Sequence, residues 1–285
     1  MRFTSIIFVL LLSGLASANS LDQQVLKTFV DTQKLLQQRL MSFCENTTQV
    51  PIKEWQSTAT LWFEVEGLQL PAAEFMQTKF AYVFWPDPKD RLRNQLTSAI
   101  SKPVVDVDWK TLPASVVSLS AIEYLLVQEQ PRQHCDWMLA ISNNQVIQAE
   151  QLYKLQRFYS FDTPEQLTAL HGSAMILHSH LKEVLSRAGK TMWVLAPGWR
   201  TDSGPTINNA LQQQLIHLLM LFSDQHPDID PWLKNLQTVK PLTINSSRAD
   251  IEKCYEATEA LAKFVENTLA PDLNIYMGFN NFDGD

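Results

Sequence analysis

The sequence predicts an all-α protein, and three observations predict it. Glycine and proline, the main helix breakers, number only 8 and 14 in 285 residues. Leu, Gln, Ala and Glu, which lose little entropy in a helix, fill the stretches between them. Apolar residues recur at three- and four-residue steps, the period that gathers them on one helix face. No run alternates clearly with period two; Ala81–Trp85 is the nearest strand candidate, and it is short. Hydrophobic residues make up 45% of the chain, enough for a real core. The net charge of −7 leaves a nucleic-acid role without an electrostatic footprint.

Residues 1–18 read as a targeting leader. Arg2 supplies the positive start, Ile6–Leu15 the apolar run, and Ala16, Ser17 and Ala18 the small-residue site, with cleavage expected after Ala18. The apolar run is too short to span a bilayer, and no Cys follows it to accept a lipid. No later stretch approaches about twenty apolar residues. The mature chain from Asn19 is therefore expected to be soluble, without a membrane anchor, in a secreted and disulfide-permissive compartment. Two bundle-like halves are expected, 19–157 and 158–285, within one continuous domain of about 22–285.

The first helix is expected over 21–44, with Val25, Phe29, Leu36, Leu40 and Phe43 on one side. A second starts near Pro51 and aligns Trp55, Ala59, Trp62 and Phe63, a stripe that reads as core because aromatics dominate core burial. Gly67 to Pro71 interrupts it. Asp87 reads as the N-cap of a helix to about Ile100, with Pro88 at its first position and Asp90 at its third. Lys102–Leu112 is a loop, and Pro113 opens the next helix. Gln130 and Pro131 end that helix, and a long one follows from about Arg132 to Tyr159.

Thr163, Pro164, Glu165 and Gln166 read as a capping box opening a helix to Arg187, with Gly189 as its stop. That helix carries His171, His178 and His180, whose spacing is not the i, i+4 pair of zinc helices; solvated or hydrogen-bonded histidines are expected. Pro197–Pro205 is a loop holding Trp199 and Arg200. A central, strongly apolar helix spans about Thr206–Ser223. Ser247 caps the last long helix, which Pro271 ends. The closing residues 278–285 keep apolar neighbours and are expected to dock on the body, bringing Asp283 and Asp285 with them.

Three cysteines, Cys44, Cys135 and Cys254, allow at most one bridge within the chain. Cys44 and Cys135 each stand at a helix end on an apolar stripe, which pairs them and leaves Cys254 as a buried thiol. Three separate buried thiols is the alternative.

One helical segment carries a carboxylate where an apolar residue is expected. In Ser118–Leu126, Glu123 lies over Leu119 and under Leu126 and Val127, inside the apolar stripe. A carboxylate there must be paired, protonated or bound, because an unpaired buried charge is too costly. It is either a boundary Glu paired with an Arg or a site residue.

Several stretches together resemble the imelysin-like family of bacterial secreted and periplasmic proteins. Trp55 to Gly67 is similar to that family's first tryptophan-rich helix. Phe84, Trp85, Pro86 and Asp87 are similar to its FWPD segment, and Leu119–Leu126 to its GLPALEYLL helix. His134, Cys135 and Asp136 with Leu139 and Ala140 resemble its RCxYLLA segment. Trp199, Arg200, Ser203 and Gly204 resemble its WRSG loop, and Gly278–Asp285 its GFNSxDGD end. The resemblance implies an all-helical fold of two halves related by a pseudo-repeat, a bacterial periplasmic location, and a link to iron-regulated and iron-uptake proteins. It also implies a metallopeptidase-type motif, Gly-x-His-x-x-Glu, where this chain has Ser118, Ser120 and Glu123.

That departure weighs against carrying the peptidase activity over. Catalytic zinc wants about three protein ligands, usually including His, and Ser120 is a poor substitute. Glu123 with Asp283 or Asp285 makes an oxygen-rich site, suited to calcium, magnesium or ferric iron. No His stands near Ser120 in sequence to make it a nucleophile. The expectation is a non-catalytic periplasmic binding or accessory protein linked to iron or metal handling. Its cofactor would be an iron or other metal ion, or an unidentified small ligand, and its partner a periplasmic or membrane protein. Glu123, Ser120, Arg200, Asp283 and Asp285 would line a cleft between the halves, with Arg200 keeping Glu123 ionised. The alternatives are a metallohydrolase using His171, His178 or His217, and an interaction module without a small ligand.

Overall fold

The computed structural model describes residues 20–46, 48–78, 82–186, 192–224 and 226–276. The leader with its cleavage site after Ala18, the stop at Gly189, and Asp283 and Asp285 lie outside the described residues. The main helices are α1 (Leu21–Glu45), α2 (Ile52–Gly67), α3 (Pro71–Phe75), α4 (Arg91–Ile100), α5 (Leu119–Leu126) and α6 (Cys135–Gln156). They continue with α7 (Thr163–Leu185), α8 (Gly204–Met220), α9 (Asp230–Thr238), α10 (Arg248–Phe264) and α11 (Ala270–Asp272). A π turn, Val265–Leu269, joins α10 to α11. The described residues contain no strand, and none of their helices is long and apolar enough to cross a membrane.

Cross-helix contacts fix the packing directions. Gln37 reaches Asn143, Lys34 reaches Glu150, and Gln156 reaches Asp22, so α1 and α6 run antiparallel. Arg39 with Glu54, and Thr58 with the Thr32 carbonyl, set α2 antiparallel to α1. His178 stacks on Tyr255 and His171 meets Glu266, which makes α7 and α10 antiparallel. The Cys44–Cys135 disulfide clamps the end of α1 to the start of α6; Cys254 is a buried free thiol.

Helix α2 is the centre of the assembly. Trp55, Ala59, Trp62 and Phe63 are all buried, as their spacing predicts. The Trp55 indole N–H donates to the Leu119 carbonyl of α5. Gly67 meets Ser173 of α7 so closely that an added Cβ would lie 2.6 Å from the Ser173 hydroxyl. Gln214 of α8 donates to the Glu64 carbonyl. One hydrophobic core therefore runs from α1 to α10, and α2 brings elements from both ends of the chain to a common cleft.

Several boundaries differ from the sequence reading, each for a local reason. The helix after Pro88 begins at Arg91, with Asp90 in the left-handed region (φ 50°) as its N-cap. Asp87 still serves that helix, because its two carboxylate oxygens accept the Arg91 and Leu92 N–H groups. Pro113 opens only a turn; α5 starts at Leu119, where the Ser118 side chain accepts the Ala121 N–H. Residues Pro131–His134 form a 3-10 turn and α6 begins at Cys135. Asp162, not Thr163, precedes α7, and its side chain makes no capping bond. The capping box stands instead at Ser247 and Asp250. Pro271 sits inside α11, which continues α10 and the π turn without a break, so the helix ends just after the proline rather than before it.

Candidate functional site

The loop between Trp193 and α8 is folded into a tight turn by two left-handed residues, Gly198 (φ 71°) and Asp202 (φ 56°). Only glycine fits at 198, where an added Cβ would stand 2.8 Å from the Ser203 Cβ. The Gly198 carbonyl accepts the Thr201 and Ser203 N–H groups, which closes the turn. Its crest presents Trp199, Arg200 and Thr201 to α5.

Glu123 on α5 faces that crest and is 2% exposed. The Thr201 hydroxyl donates to Glu123 Oε1 at 3.0 Å, and the Arg200 and Thr201 backbone N–H groups are directed at the same carboxyl. Arg200 Nη1 stands 3.9 Å from Glu123 Oε2. Burial raises the Glu123 pKa to about 7, against the opposing pull of Arg200, the Thr201 hydroxyl and the two backbone donors. Arg200 is thus the partner the sequence reading gave Glu123 and the strongest group favouring its charged form, but burial outweighs it. Desolvation wins because a guanidinium at 3.9 Å is past hydrogen-bond reach.

Arg200 lies between two acids. Its Nη2 is 3.6 Å from Asp90 Oδ1, and its plane sits over Trp199 at 4.6 Å and near Tyr124 at 5.4 Å. Asp90 has a closer partner in Arg93, at 2.8 Å. Glu123, Arg200, Asp90 and Trp199 line a cleft of about 190 Å³, walled also by Phe84, Trp85, Val194 and Glu183. Behind Trp85, the His180 ring meets it edge-on at 4.6 Å and meets Phe63 in the same way. His180 is bonded to the Asn208 side chain, and burial pushes its pKa down to about 4, so it is neutral.

Of the residues the sequence singled out, Glu123, Ser120 and Arg200 all line this cleft. Ser120 accepts the Phe84 N–H and so fixes the cleft wall. His171 is engaged with Glu266, His178 lies on Tyr255, and His217 is exposed on α8; none of the three lines the cleft. Sequence reasoning missed Asp90 and Glu183 as lining groups and Thr201 as the hydroxyl behind Glu123. Thr201 carried a signal, since it follows the Trp199–Arg200 pair in the loop. Glu183 had only its i, i+3 relation to His180.

The described residues of the cleft do not by themselves make up a metal-binding set. Glu123 is already hydrogen-bonded and faces a cation. Among the described residues, no group of three or more His, Cys, Asp or Glu side chains is arranged to hold one. What the arrangement offers is hydrogen bonding, aromatic faces and fixed charge.

No family model and no curated protein matches the chain. Two solved structures match its fold. An imelysin-like protein from Psychrobacter arcticum 273-4 has a TM-score of 0.68 at 13% identity, over 90% of this chain and 93% of that one. A protein from Parabacteroides distasonis ATCC 8503, named as an iron-regulated protein A precursor, has a TM-score of 0.63 at 10% identity, over 87% and 90%. The chain is thus an all-α helical bundle with the imelysin-like fold.

Proposed function

We propose that this chain is a periplasmic member of the imelysin-like family that binds a small ligand in the α5–loop cleft and serves iron handling without chemistry of its own. The observation that carries this reading is the cleft itself: a buried carboxyl, a guanidinium and two tryptophans converge on one concavity. Such convergence of polar groups in an apolar wall is how small-molecule sites are built. The role in iron handling rests on the similar fold of a protein named as iron-regulated. The periplasmic location rests on the leader-like residues 1–18. A catalytic reading has less support, since the Ser120 hydroxyl is engaged by the Phe84 N–H and no histidine among the described residues lines the cleft.

The test is deletion of the gene in its host, complemented with wild type or with Glu123→Ala, followed by cell iron and radio-iron uptake under iron limitation. A fall on deletion that wild type restores and Glu123→Ala does not is the expected result. Unchanged iron in the deletion strain overturns the assignment to iron handling.

A further inference from the structure

Arg200 is 13% exposed, yet its guanidinium makes no hydrogen bond among the described residues. Its two ionic neighbours stand at 3.6 and 3.9 Å, beyond the 2.7–2.9 Å of a charge-assisted bond. A guanidinium carries five N–H donors in a rigid fork matched to a carboxylate. Here that fork is aimed into the cleft with its donors unused. Each neighbouring acid also has other donors: the Thr201 hydroxyl and backbone N–H groups serve Glu123, and Arg93 serves Asp90. Arg200 can thus turn to an incoming anion while both acids keep hydrogen-bond donors or an ion-pair partner.

The rest of the lining argues against a simple anion. Asp87, Asp90, Glu123 and Glu183 stand against the single Arg200. Asp87 is spent on two backbone N–H groups, but the half-buried Glu183 makes no hydrogen bond or ion pair with its carboxylate among the described residues. A pure anion meets the unpartnered Glu183 carboxylate, and a pure cation meets Arg200. A ligand bearing both charges answers both groups, with its carboxylate on Arg200 and its ammonium toward Glu183. Trp85, Trp199 and Val194 supply an apolar wall for a side chain. The cleft volume of about 190 Å³ is that of one residue-sized molecule.

We infer that the cleft is a receptor for a small zwitterion of the amino-acid class, held by the unused Arg200 fork and the unpartnered Glu183 carboxylate; this rests on the ligand-binding reading above and names the ligand for it.

The test is isothermal titration of the mature chain with L-phenylalanine, L-leucine and glycine, beside phenethylamine and 3-phenylpropanoate, which each lack one charge. At least one amino acid should bind, and L-phenylalanine should exceed both analogues by about tenfold or more, the usual worth of a charged hydrogen bond. Arg200→Lys should erase the advantage over phenethylamine, because a point charge lacks the fork. Glu183→Gln should erase the advantage over 3-phenylpropanoate. Circular dichroism and melting temperature establish that both variants fold. Binding without these preferences overturns the inference, as does no binding by any of the three amino acids. If none binds while gene deletion still lowers cell iron, the zwitterion is wrong and the iron reading stands. If cell iron is also unchanged, both fall.

Discussion

Thr201 holds Glu123 with a single proton that three oxygens compete for. Its hydroxyl lies 3.0 Å from Glu123 Oε1, 3.1 Å from the Gly198 carbonyl and 2.6 Å from the Ser203 hydroxyl. A hydroxyl donates once. With Glu123 ionised, the proton goes to Glu123, and Thr201 accepts from Ser203. With Glu123 protonated, the carboxyl can donate to Thr201, whose own proton is then free for the Gly198 carbonyl. Either state satisfies the turn, so protonation of Glu123 need not break the loop.

The first prediction follows from the pKa of Glu123, raised from 4.5 to about 7. The folded state binds this proton more tightly than the unfolded chain. Its contribution is therefore full below about pH 4.5 and is lost as pH rises through about 7. The magnitude is on the order of 3 kcal/mol, at about 1.4 kcal/mol per pKa unit. Glu64, also raised to about 7 by burial, acts in the same direction. Urea denaturation of Glu123→Gln at pH 5 and pH 8 should show a smaller loss of stability across that interval than wild type. An identical loss in both would place the carboxyl's titration elsewhere.

His180 produces the opposite slope. Its pKa falls from 6.5 to about 4, so the unfolded chain takes up a proton the folded one refuses. Stability is full above about pH 6.5 and is lost as pH falls toward 4, again by about 3 kcal/mol. Because the ring supports Trp85 edge-on, protonation should also disturb the cleft wall. Tryptophan fluorescence followed from pH 7 to 4 should report a transition before global unfolding, and His180→Gln should remove it. A coincident single transition in both proteins would separate His180 from Trp85.

How much of this was legible in sequence depends on the range of the interaction involved. The helical class, and Trp55, Ala59, Trp62 and Phe63 as core, follow from local periodicity and were readable. The place of Glu123 inside an apolar stripe was readable for the same reason. The start of α4 was not, since Asp87 caps from four and five residues away while Asp90 adopts a left-handed turn. Nor did the sequence show that α2 would bring the 198–203 turn onto α5. That approach runs through Gln56 of α2, whose amide donates to the Thr201 carbonyl across 145 positions, and Trp55, which donates to the Leu119 carbonyl; no local pattern encodes either contact.

The α2–α7 crossing should tolerate no added volume. A Cβ on Gly172 would lie 2.3 Å from the Gln69 Cγ and 2.9 Å from the Gly67 carbonyl oxygen. The side chain can move, but the backbone oxygen belongs to the end of α2 and cannot. Gly172→Ala gains about 1 kcal/mol of helix propensity and loses on the order of 1–3 kcal/mol or more to overpacking. Net destabilisation in chemical denaturation is expected. A more stable Gly172→Ala protein would mean the crossing is looser than these distances imply.

The Cys44–Cys135 bridge closes a loop of 91 residues that includes α4 and α5, which carry one wall of the cleft. Cross-linking acts chiefly on the unfolded chain, and for a loop of this length removal costs roughly 2–5 kcal/mol. Cys44→Ser with Cys135→Ser should therefore lower the melting temperature by many degrees while leaving a folded protein at low temperature. Cys254 gives an internal control, because burial raises its pKa to about 12 and keeps its thiolate scarce. Native alkylation without reductant should label essentially no thiol, unfolding without reductant should expose one, and unfolding with reductant three, as read by intact mass. Three labelled thiols without reductant would show the bridge absent and leave α1 and α6 held by packing alone.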